Sequence, residues 1–198
     1  MGRRPELPSR RGIALALPLI PLAAAVPRGK SSQAAAADVG SKSWPGTAIL
    51  LRHAEKSADG DPRDPSLSES GRKRSKALAT LLSRASATHL FASEFKRTQE
   101  TLAPLAELAK LQVLVVPGGK TAELAGRILE LPSGSVAVVA GHSNTIPALA
   151  TLLGGSLAGL ETTPQGPVIP DGEYGRLYVV TPAAGAAGKA SVLELVYG

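Results

Sequence analysis

Thr47-Ala-Ile-Leu-Leu-Arg-His-Ala-Glu-Lys56 and Ser135-Val-Ala-Val-Val-Ala-Gly-His-Ser-Asn144 share one pattern: a short, unbroken apolar run gives way at once to polar residues that include a histidine. A run of this kind suits a strand covered on both faces, because alternation is lost when neither face meets water. Thr47–Leu51 and Ser135–Ala140 are therefore expected as central strands, with His53 and His142 just beyond their carboxyl ends. In an open α/β sheet ligands gather beyond those ends, so the two imidazoles can converge on one pocket.

The rest of the chain from Trp44 onward alternates between strand-like and helix-like stretches. Leu78, Leu81, Leu82 and Ala85 follow helical spacing, as do Leu102, Leu105, Ala106 and Ala109, and again Ile146, Leu149, Ala150 and Leu153. Ser68 is placed to cap the first helix, Gly154 follows the last apolar residue of the third, and Pro104 should kink the second. Further strands are expected at His89–Ser93, Gln112–Val116, Leu177–Thr181 and Val192–Tyr197, and a short helix at Ala122–Leu131. The alternation predicts an α/β domain of three layers, a mostly parallel central sheet flanked by helices.

A third segment, Phe91-Ala-Ser-Glu-Phe-Lys-Arg97-Thr-Gln-Glu-Thr101, passes from a strand end into a helix and brings Arg97 to the same edge as Arg52. Forked guanidinium groups match phosphate geometry and keep their charge at any working pH, so two arginines and two histidines around one cavity form an anion site. His89 opens a strand and reads as a packing residue.

Charge is distributed unevenly. The 198 residues carry a formal net charge of +6, but residues 1–43 hold seven of the 22 basic residues and only two of the 16 acidic ones, which leaves 15 against 14 in the body. A near-neutral body with 3% aromatic residues argues against a nucleic-acid partner. Arg10-Arg11 followed by the apolar run Ile13–Val26 and small residues reads as a cleavable export signal, and Ser9-Arg10-Arg11-Gly12 resembles a twin-arginine version of one. The run is shorter than the roughly 20 residues of a bilayer span and contains Pro18 and Pro21, so no membrane span is expected after cleavage. The expected organisation is signal and linker over 1–43 and one domain over 44–198, exported to periplasm or medium. Without cysteine, disulfides and thiolate metal sites are excluded.

Three other chemistries fail on single residues. Gly141-His-Ser143-Asn-Thr145 approaches a serine-hydrolase elbow, but no histidine follows His142 to serve the serine. Gly118-Gly-Lys120-Thr121 approaches the end of a P-loop, but position 114 is leucine where glycine is required. His53-Ala-Glu55 mimics a zinc-deaminase motif whose other ligands are cysteines.

Leu51-Arg52-His53, the turn with Arg97 and Thr101, Gly141-His142, and Leu67-Ser-Glu-Ser-Gly71 together resemble the histidine phosphatase superfamily, also called phosphoglycerate mutase-like, from about Thr47 to the end of the chain. The resemblance implies a metal-independent, cofactor-free phosphatase acting on a phosphorylated small molecule or protein, as phosphate monoester or phosphoramidate. His53 would be the nucleophile. Arg52, Arg97 and His142 would bind and stabilise the transferring phosphoryl group, with Ser143 and Asn144 as further donors. The general acid is expected at Glu123, which lies in the interval where the family carries its acid, or at Glu55, two residues from the nucleophile. Arg63 and Tyr174 lie on segments expected to rim the pocket. Arg-His-Ala-Glu-Lys departs from the family's common Arg-His-Gly and leaves the subfamily open. A non-catalytic module binding a phospho-ligand or a protein on the same fold is the alternative, and a mutase fits less well because the body has little spare length between motifs.

Overall fold

The computed structural model describes residues 46–182 and 189–198, with Gly2 alone from the leader; the expected export signal and linker lie outside the described residues. Six strands form one sheet in the order β3-β2-β4-β1-β7-β8: β1 Thr47–Arg52, β2 His89–Ala92, β3 Val113–Val115, β4 Val136–Gly141, β7 Arg176–Thr181 and β8 Ser191–Val196. Neighbours from β3 to β1 run parallel; β7 and β8 add an antiparallel tail on the far side of β1. A separate hairpin, β5 Glu161–Thr163 and β6 Gly166–Val168, lies in a stretch where no strand was expected.

Among the described residues four helices cover the sheet: α1 Glu69–Leu81, α2 Lys96–Ala109, α3 Thr121–Leu129 and α4 Thr145–Leu152. The alternation of each central strand divides the core in two. Ala48, Leu50, Phe91, Ala137 and Val139 pack with Ile128 of α3 and Ile146 and Leu149 of α4. Ile49, Leu51, Leu90, Val138 and Ala140 pack with Leu78 of α1 and Leu102 and Leu105 of α2. The sheet is thus buried between two helical layers, which is why β1 and β4 are continuous apolar runs. Among the described residues no helix is long and apolar enough to cross a membrane.

Local differences from the expected elements have physical reasons. The buried seam of α1 runs through Gly71, Ser75 and Leu78 to Leu82, so Leu81 is exposed and Ala85 falls beyond the helix. α2 is assigned without a break through Pro104. Proline there removes the N–H that would bond the Glu100 carbonyl. Ser75 Oγ on α1 donates instead, 3.0 Å to Glu100 O and 2.9 Å to Thr101 O, and is itself buried in doing so. The caps follow expectation at the start of α1 and the end of α4: Ser68 Oγ accepts from Gly71 N at 3.1 Å, and Gly154 takes φ +82° after α4.

Candidate active site

The register of the two central strands sets the site. β1 and β4 are parallel neighbours with Arg52 opposite Gly141, and His53 N donates to Gly141 O at 2.9 Å. His53 and His142 therefore leave adjacent strand ends together, with ring centroids 5.4 Å apart in an edge arrangement.

Each imidazole is held by hydrogen bonds that decide its tautomer. His53 Nδ1 lies 2.7 Å from Ala54 O, and a carbonyl only accepts, so Nδ1 carries the proton and Nε2 keeps its lone pair. The Ala54 peptide is itself clamped, because its N–H donates to Thr101 Oγ1 at 2.9 Å and Thr101 Oγ1 donates to Arg97 O at 2.6 Å. His142 Nε2 lies 2.9 Å from Ser93 Oγ, which lies 2.9 Å from Thr98 Oγ1. The single proton of Thr98 is taken by Phe95 O at 2.7 Å. Ser93 must then donate to Thr98 and accept from His142, which places the His142 proton on Nε2.

Arg52 is nine-tenths buried. Its Nη1 donates to Pro170 O and its Nη2 to Asp171 Oδ1, each at 3.1 Å, its guanidinium covers the Tyr174 ring at 4.5 Å, and its Nε has no partner. Arg97 lies over the Phe95 ring at 4.3 Å with Nη1 3.9 Å from Asp64 Oδ1. Both arginines act on both histidines. Burial, set against the Ala54 hydrogen bond and assisted by His142, Arg97 and Arg52, lowers His53 to about 4. Burial and then Arg97, partly offset by Glu94, lower His142 to about 4.

These shifts predict a pH dependence of stability. An unfolded histidine binds its proton near pH 6.5, these two only near 4, so between those values the unfolded chain holds more protons. The histidine contribution is complete above about pH 6.5 and is lost as pH falls toward 4. Urea midpoints are expected to decline over that window, and less steeply in His142→Asn; an identical decline in the variant would remove His142 as a cause.

The two acid candidates are committed elsewhere. Glu55 accepts three hydrogen bonds from Arg74, at 2.8 to 3.0 Å, and although burial pushes its carboxyl up, Arg74 outweighs this and holds it below the usual range. Arg74 also donates to Tyr197 O at 2.7 Å, so this pair ties α1 to the end of β8. Glu123, in the first turn of α3, is paired with Lys120 at 3.1 Å and Arg127 at 2.7 Å, and both hold its carboxyl low. Asn144 caps α4 with no side-chain hydrogen bond, and Ser143 contributes its carbonyl to Ile169 N at 2.9 Å. Tyr174 does rim the site, 6.0 Å from the His53 ring. His89 stacks on Phe91 and bonds Thr88, a packing role.

Five residues around the site escaped the sequence reading: Ser93 and Thr98, which orient His142, and the carboxylates Asp64, Glu94 and Asp171. Glu94 Oε2 accepts from Gly118 N at 2.7 Å beside His142. Its position at the carboxyl end of β2 was the available signal. A cavity of about 550 Å³ between Arg74, Glu173, Arg176 and Glu194 meets this site only at Tyr174, and its arginines are already bonded to carboxylates.

Residues 48–118, which carry Arg52, His53 and Arg97, match the family model of the histidine phosphatase superfamily (branch 1). Over these residues the chain is similar to the histidine phosphatase superfamily. Solved structures share the fold of this domain at low identity. The protein histidine phosphatase SixA complexed with tungstate is 18% identical, with a TM-score of 0.56, covering 76% of this chain and 96% of that one. The SixA protein of Nakamurella multipartitia is 22% identical, TM-score 0.51, covering 75% and 94%. A mycobacterial glucosyl-3-phosphoglycerate phosphatase is 17% identical, TM-score 0.52, covering 76% and 97%. Among curated proteins none matches this chain.

Proposed function

We propose that this domain hydrolyses a phosphate monoester or phosphoramidate through a phosphohistidine on His53. The observation that carries the reading is the neutral, tautomer-fixed His53 ring, with Nδ1–H on Ala54 O and Nε2 unprotonated, beside His142 under the influence of two arginines. In the first step the Nε2 lone pair forms a bond to phosphorus as the bond from phosphorus to the leaving atom breaks. In the second a water oxygen attacks phosphorus, the N–P bond returns its electrons to Nε2, and inorganic phosphate leaves. Charge on the phosphoryl oxygens is met by Arg52, Arg97 and His142, whose positions are fixed before substrate arrives, so little reorganisation is needed during the reaction.

The leaving atom must take a proton. Glu55 and Glu123 are both held ionised by cations, which favours substrates that leave without strong acid help, such as a phosphoramidate already protonated on nitrogen. The structural likeness to SixA accords with that choice.

The test uses the full chain with a chromogenic phosphate monoester and with a phosphoramidate, in chelator, quenched in alkali and analysed as peptides by mass spectrometry. Turnover with an acid-labile phosphate on the His53 peptide is expected. Turnover without that adduct, or neither turnover nor adduct with either substrate, would overturn the reading.

A further inference from the structure

The anion site is bordered by carboxylates from three separate loops. Asp171, between β6 and β7, accepts from Arg52 Nη2 at 3.1 Å with its side chain otherwise exposed. Asp64, between β1 and α1, accepts from Lys96 N at 2.8 Å and faces Arg97 at 3.9 Å. Glu94, between β2 and α2, is exposed and acts on both His142 and Arg97. Among the described residues, the exposed cations of the same loops, Arg63 and Lys96, form no ion pair with these carboxylates, while Lys120 and Arg127 are paired with Glu123. The site calls for an anion independently of this rim, since Arg52 is nine-tenths buried and its Nε is unpartnered.

The charges can be followed through binding. A phosphoryl dianion would roughly balance Arg52 and Arg97. To reach Arg52 Nη2 it must take the place of Asp171, whose carboxylate is then released at the pocket mouth beside the leaving group. The part of the substrate beyond the phosphoryl group therefore meets three carboxylates whose nearest cations are spent on phosphate.

We propose that Asp64, Glu94 and Asp171 select substrates that carry a positively charged nitrogen in the part beyond the phosphoryl group, and reject polyanions such as bisphosphates and phosphorylated acids. The inference rests on the phosphatase reading and narrows it to amine-bearing phosphate esters and N-protonated phosphoramidates. Opposite charges within several ångströms at a half-exposed site change binding by about tenfold and are weakened by salt.

The experiment compares three aryl phosphates on the full chain, alike except for a para substituent that is cationic (trimethylammoniomethyl), neutral (methyl) or anionic (sulfomethyl). At low ionic strength kcat/KM is expected to be about tenfold higher for the cationic than for the anionic ester, with the ratio compressed in high salt. Asp171→Asn, a change at an exposed side chain, is expected to reduce the ratio by about two- to threefold, and the triple variant Asp64→Asn, Glu94→Gln, Asp171→Asn to within about twofold of unity. Should the triple variant not fold, Asp171→Asn alone decides. A wild-type ratio near unity, or a ratio unchanged in Asp171→Asn, would overturn the selectivity while leaving the phosphatase intact. Failure to turn over any of the three esters would instead remove the phosphatase reading and this inference with it.

Discussion

His53→Asn is expected to lower kcat on a phosphate monoester by about 10⁴-fold or more and to abolish the phosphoenzyme, with the fold unchanged. Asparagine is the informative replacement. Its side-chain amide can still donate to Ala54 O, the bond that His53 Nδ1 makes at 2.7 Å, so the β1 terminus keeps its local partner. What disappears is the unprotonated Nε2, the only atom of the residue that can bond to phosphorus. Removing an electrostatic partner should cost less: a displaced donor typically weakens transition-state stabilisation by about 10²- to 10³-fold. Steady-state rates with a circular-dichroism control check this; a folded His53→Asn protein retaining a tenth of wild-type kcat would show that another group attacks phosphorus.

The largest effect on stability is expected from Gly71→Ala, a loss of about 2 to 4 kcal/mol by urea denaturation. In an open helical position the same change would stabilise by up to about 1 kcal/mol, so the sign itself is diagnostic. A Cβ on Gly71 would lie 2.2 Å from Glu55 O and 3.1 Å from Glu55 C and N, all backbone atoms with no rotamer to yield. The same carbonyl accepts from Ser68 N at 2.9 Å, and Lys56 bridges Leu67. The start of α1 is thereby seated on the peptide two residues past His53. Moving α1 to admit a methyl group would disturb that peptide, and a neutral or stabilising result would show that the contact yields freely.

Much of the fold was legible because burial leaves a mark on sequence. Strands β1 and β4, sealed on both faces, had to be apolar until they left the core, so their ends and the two histidines could be located. Their being neighbours could not, since adjacency is decided by which helices cross over between strands. The α1 seam misled for a related reason: Gly71 and Ser75 are buried there, the first for close approach and the second to serve carbonyls on α2, and counting apolar residues alone rotated the face onto Leu81. The ion pair of Glu123 with Arg127 was readable at i,i+4. The pairing of Glu55 with Arg74 was not, because it joins a loop to a helix turn 19 residues on. Asp171 follows a stretch whose three-residue strands carry too few side chains to show a period.

With His142 Nε2–H directed at Ser93 and the ring neutral above about pH 4, Nδ1 is left as a bare lone pair. A phosphoryl oxygen arriving there would meet repulsion unless a proton came with it, and its negative charge would itself raise the basicity of the ring. Anion capture and proton uptake are then one thermodynamically linked event: each strengthens the other by the same factor, and product release must return the proton to solvent along with phosphate.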